Sequence, residues 1–482
     1  MIVLLVGAIG FAQNETDALR YSFLMNGGTA RFASMGGAFS SLGADFSSLS
    51  TNPAGIGVYK SSELMFTPSI TFSNSSSVYN ETTTDDSKAS FKIPNFGMVF
   101  TGDLSHGADK VEWKNVQFGF GINRVADFSN SYLMRGENTE NSILDVYRYL
   151  ADGYGHDELN SFDTEMAWNT YLLNPGGTDD TYVKAFEGGV LQQKNINTSG
   201  GISEMVLSFG GNYNDKLYLG ATMGFPFLHY NEEVYYKEID EADTIPGFKH
   251  LSVNDELNAN GSGFNFKLGM IYRITDWVRI SGAIHTPTFY AMHETYSRVM
   301  RSDLDTASYE SRSPQGVYDY RLTTPMKMIA GIAFVIGKMG MISAEYEMVD
   351  YSQSKLRATS LDYDFFDANE AIGLKYTVAN NFRVGGELRL EPFAIRAGFS
   401  HYGSPYTGSF SEDYSTNNIS AGFGIREKNF YIDFAYIYTM KNESFDLYNA
   451  SIISDMGMTL NPVLTDLRRG SVLVTLGTKF GR

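Results

Sequence analysis

Four charged residues, Arg383, Glu387, Arg389 and Arg396, are the first candidates for a binding site in this sequence. The first three alternate with apolar residues such as Leu388, and a period of two places them on one face of an extended strand. Guanidinium and carboxylate groups on one face form charge-assisted hydrogen bonds with each other, or they guide the carboxylate group of a ligand. The sequence therefore predicts a polar site on this face and leaves both uses open.

The sequence does not contain the familiar motifs of catalytic and cofactor-binding sites. The seven histidines do not have the spacing of metal ligands, and no persuasive Ser–His pair marks a hydrolase. The Gly36-Gly37 run lacks the Gly-x-Gly-x-x-Gly and Gly-Lys-Ser/Thr patterns of nucleotide-binding loops. The four acidic residues within 238–243 are predicted to form a solvated loop, with calcium binding as the alternative. We therefore expect neither an enzyme nor a resident cofactor or metal.

The composition of the 482 residues limits the classes of protein that fit. The formal net charge of −18 opposes binding to the phosphates of nucleic acids. Cysteine is absent, which excludes disulfides and thiolate chemistry and fits an exported chain. Aromatic residues make up 14% of the chain while the mean hydropathy is only −0.20. A transmembrane barrel combines these values, because its apolar outer face and polar lumen average out, but a soluble β-sandwich or adhesin shares them.

The N-terminus has the form of a secretory signal. Residues 1–12 are apolar and end in Gly10-x-Ala12, which resembles the remnant of a signal peptide cleaved before Gln13. The basic start of such a peptide is missing, and a buried first strand is the alternative. No other window approaches the run of about 18 apolar residues that a transmembrane helix needs.

Period-two alternation recurs along the chain in segments of about ten residues, the length of a tilted membrane-crossing strand. One segment sets Val116, Phe118, Phe120 and Ile122 against Gln117, Gly119 and Gly121. Fourteen strands are predicted in this way, near 61–72, 93–101, 115–125, 202–212, 215–225, 262–272, 277–287, 322–336, 340–351, 380–390, 393–401, 417–426, 429–440 and 471–480. An ambiguous fifteenth segment, 367–377, is assigned to a loop.

The lengths of the connections indicate a closed transmembrane barrel. Short turns follow even-numbered strands, at Asn214-Asp215, Thr275-Asp276, Gly337-Lys338, Glu391-Pro392 and Glu427-Lys428. Long connections follow odd-numbered strands, at 73–92, 126–201, 226–261, 288–321, 352–379, 402–416 and 441–470. A barrel with both termini in the periplasm needs an even strand number and short turns on one side, whereas a sandwich has no reason to sort its loops. The sequence therefore predicts an all-β, transmembrane antiparallel β-barrel of about 14 strands.

A segment before the first strand carries a family resemblance. It runs from Asn26 to Phe39 as NGGTARFASMGGAF, continues with Gly43-Ala44-Asp45 and ends in Asn52-Pro53-Ala54-Gly55. This resembles the N-terminal plug of the FadL/TodX family of outer-membrane transporters of hydrophobic compounds, the long-chain fatty-acid transporter type. Weaker matches lie at 324–331, 346–352, 393–398 and 404–405, so the resemblance spans nearly the whole mature chain.

The resemblance implies a plug, or hatch, at 13–58 inside the lumen, and a barrel at 59–482 with long extracellular loops. In the family the Asn-Pro-Ala motif lies in the plug that blocks the channel, and plug movement is thought to open a path sideways into the membrane. Gly36, Gly37 and Asp45 are expected to pack the plug, because Gly-Gly permits backbone geometry that other residues resist. The charged set around Glu387 is expected to hold the plug. The alternative for Asn52-Pro53 is a simple turn into the first strand.

The function that the resemblance implies is passive transport of hydrophobic small molecules, such as long-chain fatty acids, across the outer membrane of a Gram-negative bacterium. The expected partners are that ligand, membrane lipids with lipopolysaccharide, and the barrel-assembly machinery, which recognises a last strand ending near Phe480. One alternative is a barrel that serves as partner or anchor of a protein-secretion machine without a small-molecule substrate; another is a surface adhesin or structural porin. The aromatic residues of 126–201 could line a capture groove or pack a compact cap.

Overall fold

The computed structural model describes residues 14–25, 27–104, 112–360, 364–408 and 414–481; the predicted signal-peptide remnant at 1–12 lies outside them. The α-helices are α1 Glu15–Ser22, α2 Ala30–Ser34, α3 Ile143–Ala151, α4 Thr164–Asn169, α5 Phe366–Lys375 and α6 Ala450–Asp455, and 3₁₀-helices lie at Phe46–Ser50, Pro53–Val58 and Tyr351–Gln353. The strands are β1 Ser62–Tyr79, β2 Thr82–Asp103, β3 Trp113–Asp127, β4 Asn130–Asn138, β5 Leu173–Pro175, β6 Tyr182–Lys184, β7 Val190–Tyr213, β8 Leu217–Ile239, β9 Phe248–Arg273, β10 Val278–His285, β11 Phe289–Leu304, β12 Ser308–Arg312, β13 Gly316–Thr323, β14 Lys327–Ile336, β15 Gly340–Asp350, β16 Lys355–Ala358, β17 Val378–Leu390, β18 Phe393–Tyr402, β19 Thr416–Arg426, β20 Phe430–Phe445 and β21 Val463–Phe480.

Fourteen antiparallel strands close into a barrel. The ring runs β1, β2, β3, β7, β8, β9, β10, β14, β15, β17, β18, β19, β20, β21 and closes where β21 pairs with β1. Each of the fourteen predicted strands coincides with one of these, so the predicted fold class and strand number are confirmed. The ambiguous segment 367–377 lies in a connection, as assigned, and most of it is helix α5.

The outer surface of the barrel carries an apolar belt. On β17, Leu388 is 49% exposed while its neighbour Glu387 is 3% exposed and faces the lumen. The other barrel strands repeat this division, with exposed outward residues that include Phe120, Leu268, Ile332, Phe399, Phe423 and Leu476. An exposed apolar belt around a closed barrel is stable only in lipid, and barrels of this kind span the bacterial outer membrane. The chain is therefore an outer-membrane β-barrel.

The short turns lie where they were predicted, at one end of the barrel. The hairpin between β7 and β8 turns through Asn214 and Asp215. Both residues have positive φ angles, 52° and 55°, which the tight two-residue turns of hairpins require and which Asn and Asp tolerate. The corresponding turns join β9 to β10, β14 to β15, β17 to β18 and β19 to β20. Among the described residues, no helix is both long enough and apolar enough to cross a membrane.

At the opposite end, three predicted long loops, 73–92, 226–261 and 288–321, are instead mostly strand, and the third of them contains β11, β12 and most of β13. Residues 73–92 continue β1 and β2 to a tight turn at Asn80 and Glu81, and residues 226–261 continue β8 and β9. The backbone ladder continues because each strand keeps its partner. At 73–77 the prediction was wrong because the side chains become polar on both faces, so the apolar contrast that marks a membrane strand disappears. The extended parts of β8 and β9 instead keep apolar side chains such as Tyr236 and Val253 on one face, and these pack in the core of the cap outside the membrane.

The remaining connections form a folded cap over this end. The connection 126–201 contains β4, α3, α4 and the β5–β6 hairpin. Their apolar side chains share one core with α6 and with the extended parts of β8 and β9. Further strands, β11, β12, β13 and β16, extend the wall beyond the barrel by pairing with β9 and with each other.

Candidate functional site

The N-terminal segment before β1 lies inside the lumen and contacts opposite walls. Helix α2 packs against β18 to β21, whereas the 3₁₀-helix Pro53–Val58 packs against β3, β7, β8 and β9. The 3₁₀-helix Phe46–Ser50 contacts β2, β3, β7 and β8. This segment, which we call the plug for residues 27–58, therefore fills the barrel at the level of the membrane belt.

The Gly36-Gly37 pair ends helix α2 with a reversal that only glycine makes without strain. Thr29 caps the start of the helix by accepting from the amide of Phe32, and the two glycines follow with φ of 63° and 76°. A Cβ on Gly36 would lie 2.8 Å from the carbonyl oxygen of Phe399 on β18. Both the positive φ and the close approach to the wall therefore require glycine here.

The Asn52-Pro53-Ala54-Gly55 motif joins three parts of the molecule. The amide nitrogen of the Asn52 side chain donates to the carbonyl of Ser40 in the plug (2.7 Å) and to that of Met270 on β9 (3.3 Å). Its side-chain oxygen accepts from the amide of Ala54 and so caps the 3₁₀-helix that follows. The fully buried Asn52 therefore fixes both the plug fold and its position against the wall.

Asp45 organises the plug internally. Its carboxylate accepts from the hydroxyl of Thr29 at 2.7 and 2.9 Å and from the amide of Ser47 at 3.0 Å. The hydroxyl of Ser47 in turn accepts from the amide of Thr29. Asp45 thus ties the start of α2 to the first 3₁₀-helix.

Glycines on the lumen face of the wall receive the plug backbone. A Cβ on Gly385 would lie 2.2 Å from the carbonyl oxygen of Met35, and one on Gly220 would lie 2.2 Å from that of Pro53. Equivalent clashes with the plug would occur at Gly97, Gly121, Gly269, Gly331, Gly398 and Gly422. Sequence reasoning placed glycines on the polar face of several strands but did not identify them as plug contacts; their repeated occurrence on that face is the signal.

Glu387 is the centre of the predicted charged set. Its carboxylate accepts from the Nε atoms of Arg389 and Arg396, each at 2.7 Å, and from Nε of Arg31 in the plug at 2.8 Å. Arg396 also donates to Asp433 at 2.7 Å. Three members of the predicted set thus meet around one carboxylate. Sequence reasoning missed Arg31, which joins this set to the plug.

Arg383, the fourth member, belongs to a second group. Its guanidinium donates to Glu345 at 2.6 Å and lies 3.1 Å from Glu347. The other oxygen of Glu345 accepts from the amide of Ser40 in the plug at 2.8 Å. The predicted set therefore divides into two ion-pair groups, and each of them contacts the plug.

Glu387 and the nearby Asp45 stabilise the positive charge of Arg31. Burial by itself lowers the pKa of the Arg31 guanidinium, but the charge and hydrogen bonds of Glu387, with the nearby Asp45, outweigh burial and raise that pKa above its ordinary value. Arg31 also donates to the carbonyl of Ala44 at 3.1 Å. The positive charge is thus kept inside the lumen, where it binds the plug to β17.

Above the plug, the lumen holds helix α1 in a mainly apolar and aromatic cluster, beside the charged side chains of Asp17, Arg20 and Glu232. Ala18, Leu19 and Tyr21 of α1 are buried in a cluster of wall residues that includes Ile202, Leu228, Tyr230, Tyr290, Met292, Tyr320, Leu322, Val349 and Tyr351. We call this cluster the upper chamber. The Tyr21 ring meets those of Phe128 and Tyr230 edge to face, with centroids 6.1 and 6.0 Å apart.

Some aromatic residues of 126–201 pack inside a compact cap, which was one of the two alternatives for this connection. Tyr147 is buried and Trp168 packs against the cap core, so these two aromatics serve a compact fold. Tyr149, Tyr154 and Tyr171 are each about half exposed on the surface. The predicted solvated acidic loop is wrong for Glu238, which is fully buried and binds the hydroxyl of Ser142 and the amide of Ile143 at the start of α3. Among the described residues, no group of three or more His, Asp or Glu side chains is placed to hold a metal.

Comparison with known proteins identifies the fold. No family model matches the sequence, and no curated protein is significantly similar to it. A solved FadL homologue from Pseudomonas aeruginosa is 12% identical, with 95% of this chain and 100% of that one aligned and a TM-score of 0.58. The P. putida toluene transporter TodX is 12% identical over 95% and 99% of the two chains, with a TM-score of 0.55.

The CymD monoaromatic hydrocarbon channel is 13% identical over 95% and 98% of the chains, with a TM-score of 0.51. TodX is named as a toluene transporter and CymD as a monoaromatic hydrocarbon channel. At such low identity the similarity concerns the fold. The chain has the barrel fold of the FadL and TodX structures, as the resemblance of its plug sequence implied.

Proposed function

We propose that this protein passively admits hydrophobic small molecules across the bacterial outer membrane, with long-chain fatty acids among its solutes. The observation that carries the proposal is the upper chamber, an apolar and aromatic cluster inside the lumen, directly above a plug. Barrels that pass polar solutes have a polar, water-filled lumen. Binding in such a chamber comes from burial of apolar surface, at about 25 cal/mol per Å².

The solute class has two sources of support. The plug sequence resembles that of the long-chain fatty-acid transporter type, whereas TodX and CymD act on toluene and monoaromatic hydrocarbons. Both solute types are hydrophobic and differ in length and in the presence of a carboxylate. Movement of the plug would open the path, and exit sideways into lipid would avoid the polar lipopolysaccharide layer.

The test is uptake by cells that lack their own transporter for the solute. The cells carry either the intact chain or a variant with Asn52-Pro53-Ala54 replaced by Gly-Gly-Gly, at equal abundance in the outer membrane. Labelled long-chain fatty acid and labelled toluene are supplied in parallel. Uptake by the intact chain that changes with the altered plug supports the proposal. No uptake of either solute by a correctly inserted barrel contradicts it.

The second candidate is a partner or anchor of a protein-secretion machine. The half-exposed Tyr149, Tyr154 and Tyr171 on the cap favour it, because exposed tyrosines are enriched in protein interfaces. Replacing the three by serine separates the candidates. A secretion partner loses secretion in the triple variant and takes up no solute with or without it, whereas a transporter takes up solute equally in both chains and secretion does not change.

A further inference from the structure

A small cavity lies in the lumen where the plug meets the upper chamber. Its volume is about 30 Å³, and its polar lining includes Glu204, Lys267, Lys327 and Glu347. Leu24 and Val125 close its other side, and both also pack in the upper chamber. A polar cavity of this size holds a water molecule or the end group of a larger molecule.

Lys327 is the unusual residue of this lining. It is only 8% exposed, yet within the described part of the chain its ammonium group has no hydrogen-bond or ion-pair partner. Glu347, a carboxylate of the same lining, accepts from Asn381 at 2.8 Å and lies 3.1 Å from Arg383. A buried ammonium without a partner is costly unless something else accepts its hydrogen bonds.

The other charges in the lining are already matched. Lys267 binds both oxygens of Glu204, one of which also accepts from Asn265. With Arg383 matched by Glu345 at 2.6 Å, Glu204 and Glu347 balance Lys267 and Lys327 when the imidazole of His285 is uncharged. An entering carboxylate would add an unbalanced negative charge beside two carboxylates, whereas an uncharged oxygen would satisfy Lys327 without that cost.

From this we infer that the cavity is an end-group site for uncharged, oxygen-bearing hydrophobic solutes such as alcohols and phenols. The oxygen accepts from Lys327, and a hydroxyl hydrogen is directed toward the carboxylate of Glu347. The apolar body takes the place of Leu24 and extends into the upper chamber. The inference rests on the proposed function and deepens it, because it names the solute class that the same lumen prefers.

Three fluorescent probes with the same ring system test it: naphthalene, naphthol and naphthoate. Binding is measured on the purified barrel in lipid nanodiscs at neutral pH, where naphthol is uncharged. A hydrogen bond from a charged donor favours naphthol over naphthalene by about tenfold or more in the wild type. In Lys327→Met we expect naphthol to bind no better than naphthalene. Lys338→Met, in the exposed turn at the other end of β14, is the matched control and keeps the preference.

The outcomes separate the inference from the proposed function. Equal binding of naphthalene and naphthol to the wild type, or a preference that survives in Lys327→Met, overturns the end-group site and leaves the transporter standing. Tightest binding of naphthoate, lost in Lys327→Met, also overturns it, because the site would then be one for anions. Failure of all three probes to bind contradicts the proposed function together with the inference. If Lys327→Met does not insert, Lys327→Leu, which also lacks a donor, decides by the same comparison.

Discussion

The plug and helix α1 occupy the same lumen but are held in different ways. The plug presses its backbone against wall glycines such as Gly385 and is bound through buried ion pairs, above all Arg31 with Glu387. Helix α1 is held mainly by apolar and aromatic side chains in the upper chamber. It also forms ion pairs from Glu15 to Lys375, which is half exposed, and from Arg20 to Glu232 at 3.8 Å. The position of the plug is thus set by shape and charge, while that of α1 depends on apolar burial that a hydrophobic solute can replace.

The largest effect is expected at the centre of the plug contact. Glu387→Gln keeps the size of the side chain but leaves Arg31 without its carboxylate, and loss of one partner of a buried pair costs about 3–5 kcal/mol. We expect a lower urea midpoint for unfolding from lipid vesicles. Glu427→Gln, in an exposed turn, is the control. A midpoint equal to that of the wild type would show that the pair does not hold the plug.

A smaller effect is expected from the shape of the wall. In Gly385→Ala the new Cβ would lie 2.2 Å from the carbonyl oxygen of Met35, and overpacking of this kind costs about 1–3 kcal/mol. In Gly386→Ala, one residue along the same strand, the nearest atom lies 3.6 Å away. The readout is labelling of Ser34→Cys in the plug, since the chain has no other cysteine. Faster labelling is expected with Gly385→Ala only, and equal rates in both variants would contradict the steric fit.

The smallest effect is expected at the contact of α1. Lys375→Met removes an ion pair of 2.5 Å whose lysine side chain is 47% exposed, and such pairs contribute about 0.2–1 kcal/mol. The urea midpoint should shift far less than in Glu387→Gln, with Lys338→Met as the reference for loss of an exposed lysine. A shift as large as that of Glu387→Gln would remove the distinction between the two regions.

The strands could be predicted because lipid outside and polar groups inside force a contrast between alternate residues, as between Leu388 and Glu387. That contrast ends in the serine-rich extension of β1, where both faces are polar, so this extension could not be predicted from the sequence. The end of the ladder is set by strand pairing, not by hydropathy.

The plug site was predicted incompletely for a related reason. Arg383, Glu387 and Arg396 stand out because their charges alternate with apolar residues on a strand. Arg31 has no such pattern around it, and its contact with Glu387 depends on the path of the plug through the lumen. Nothing in the sequence distinguishes Lys327 either, because whether its ammonium group has a partner among the described residues depends on how the lumen is packed.

The most direct test of the central claim is to lock the plug and measure uptake. The hydroxyl oxygens of Ser41 in the plug and Ser281 on β10 are 2.8 Å apart, so Ser41→Cys with Ser281→Cys should form the only disulfide in a chain that has no cysteine of its own. We expect cells carrying the oxidised variant to take up neither labelled fatty acid nor toluene above background. Reductant, or either single-cysteine variant, should restore uptake of the solute that the wild type admits. Equal uptake by the oxidised and reduced double variant would contradict a transport path that the plug controls.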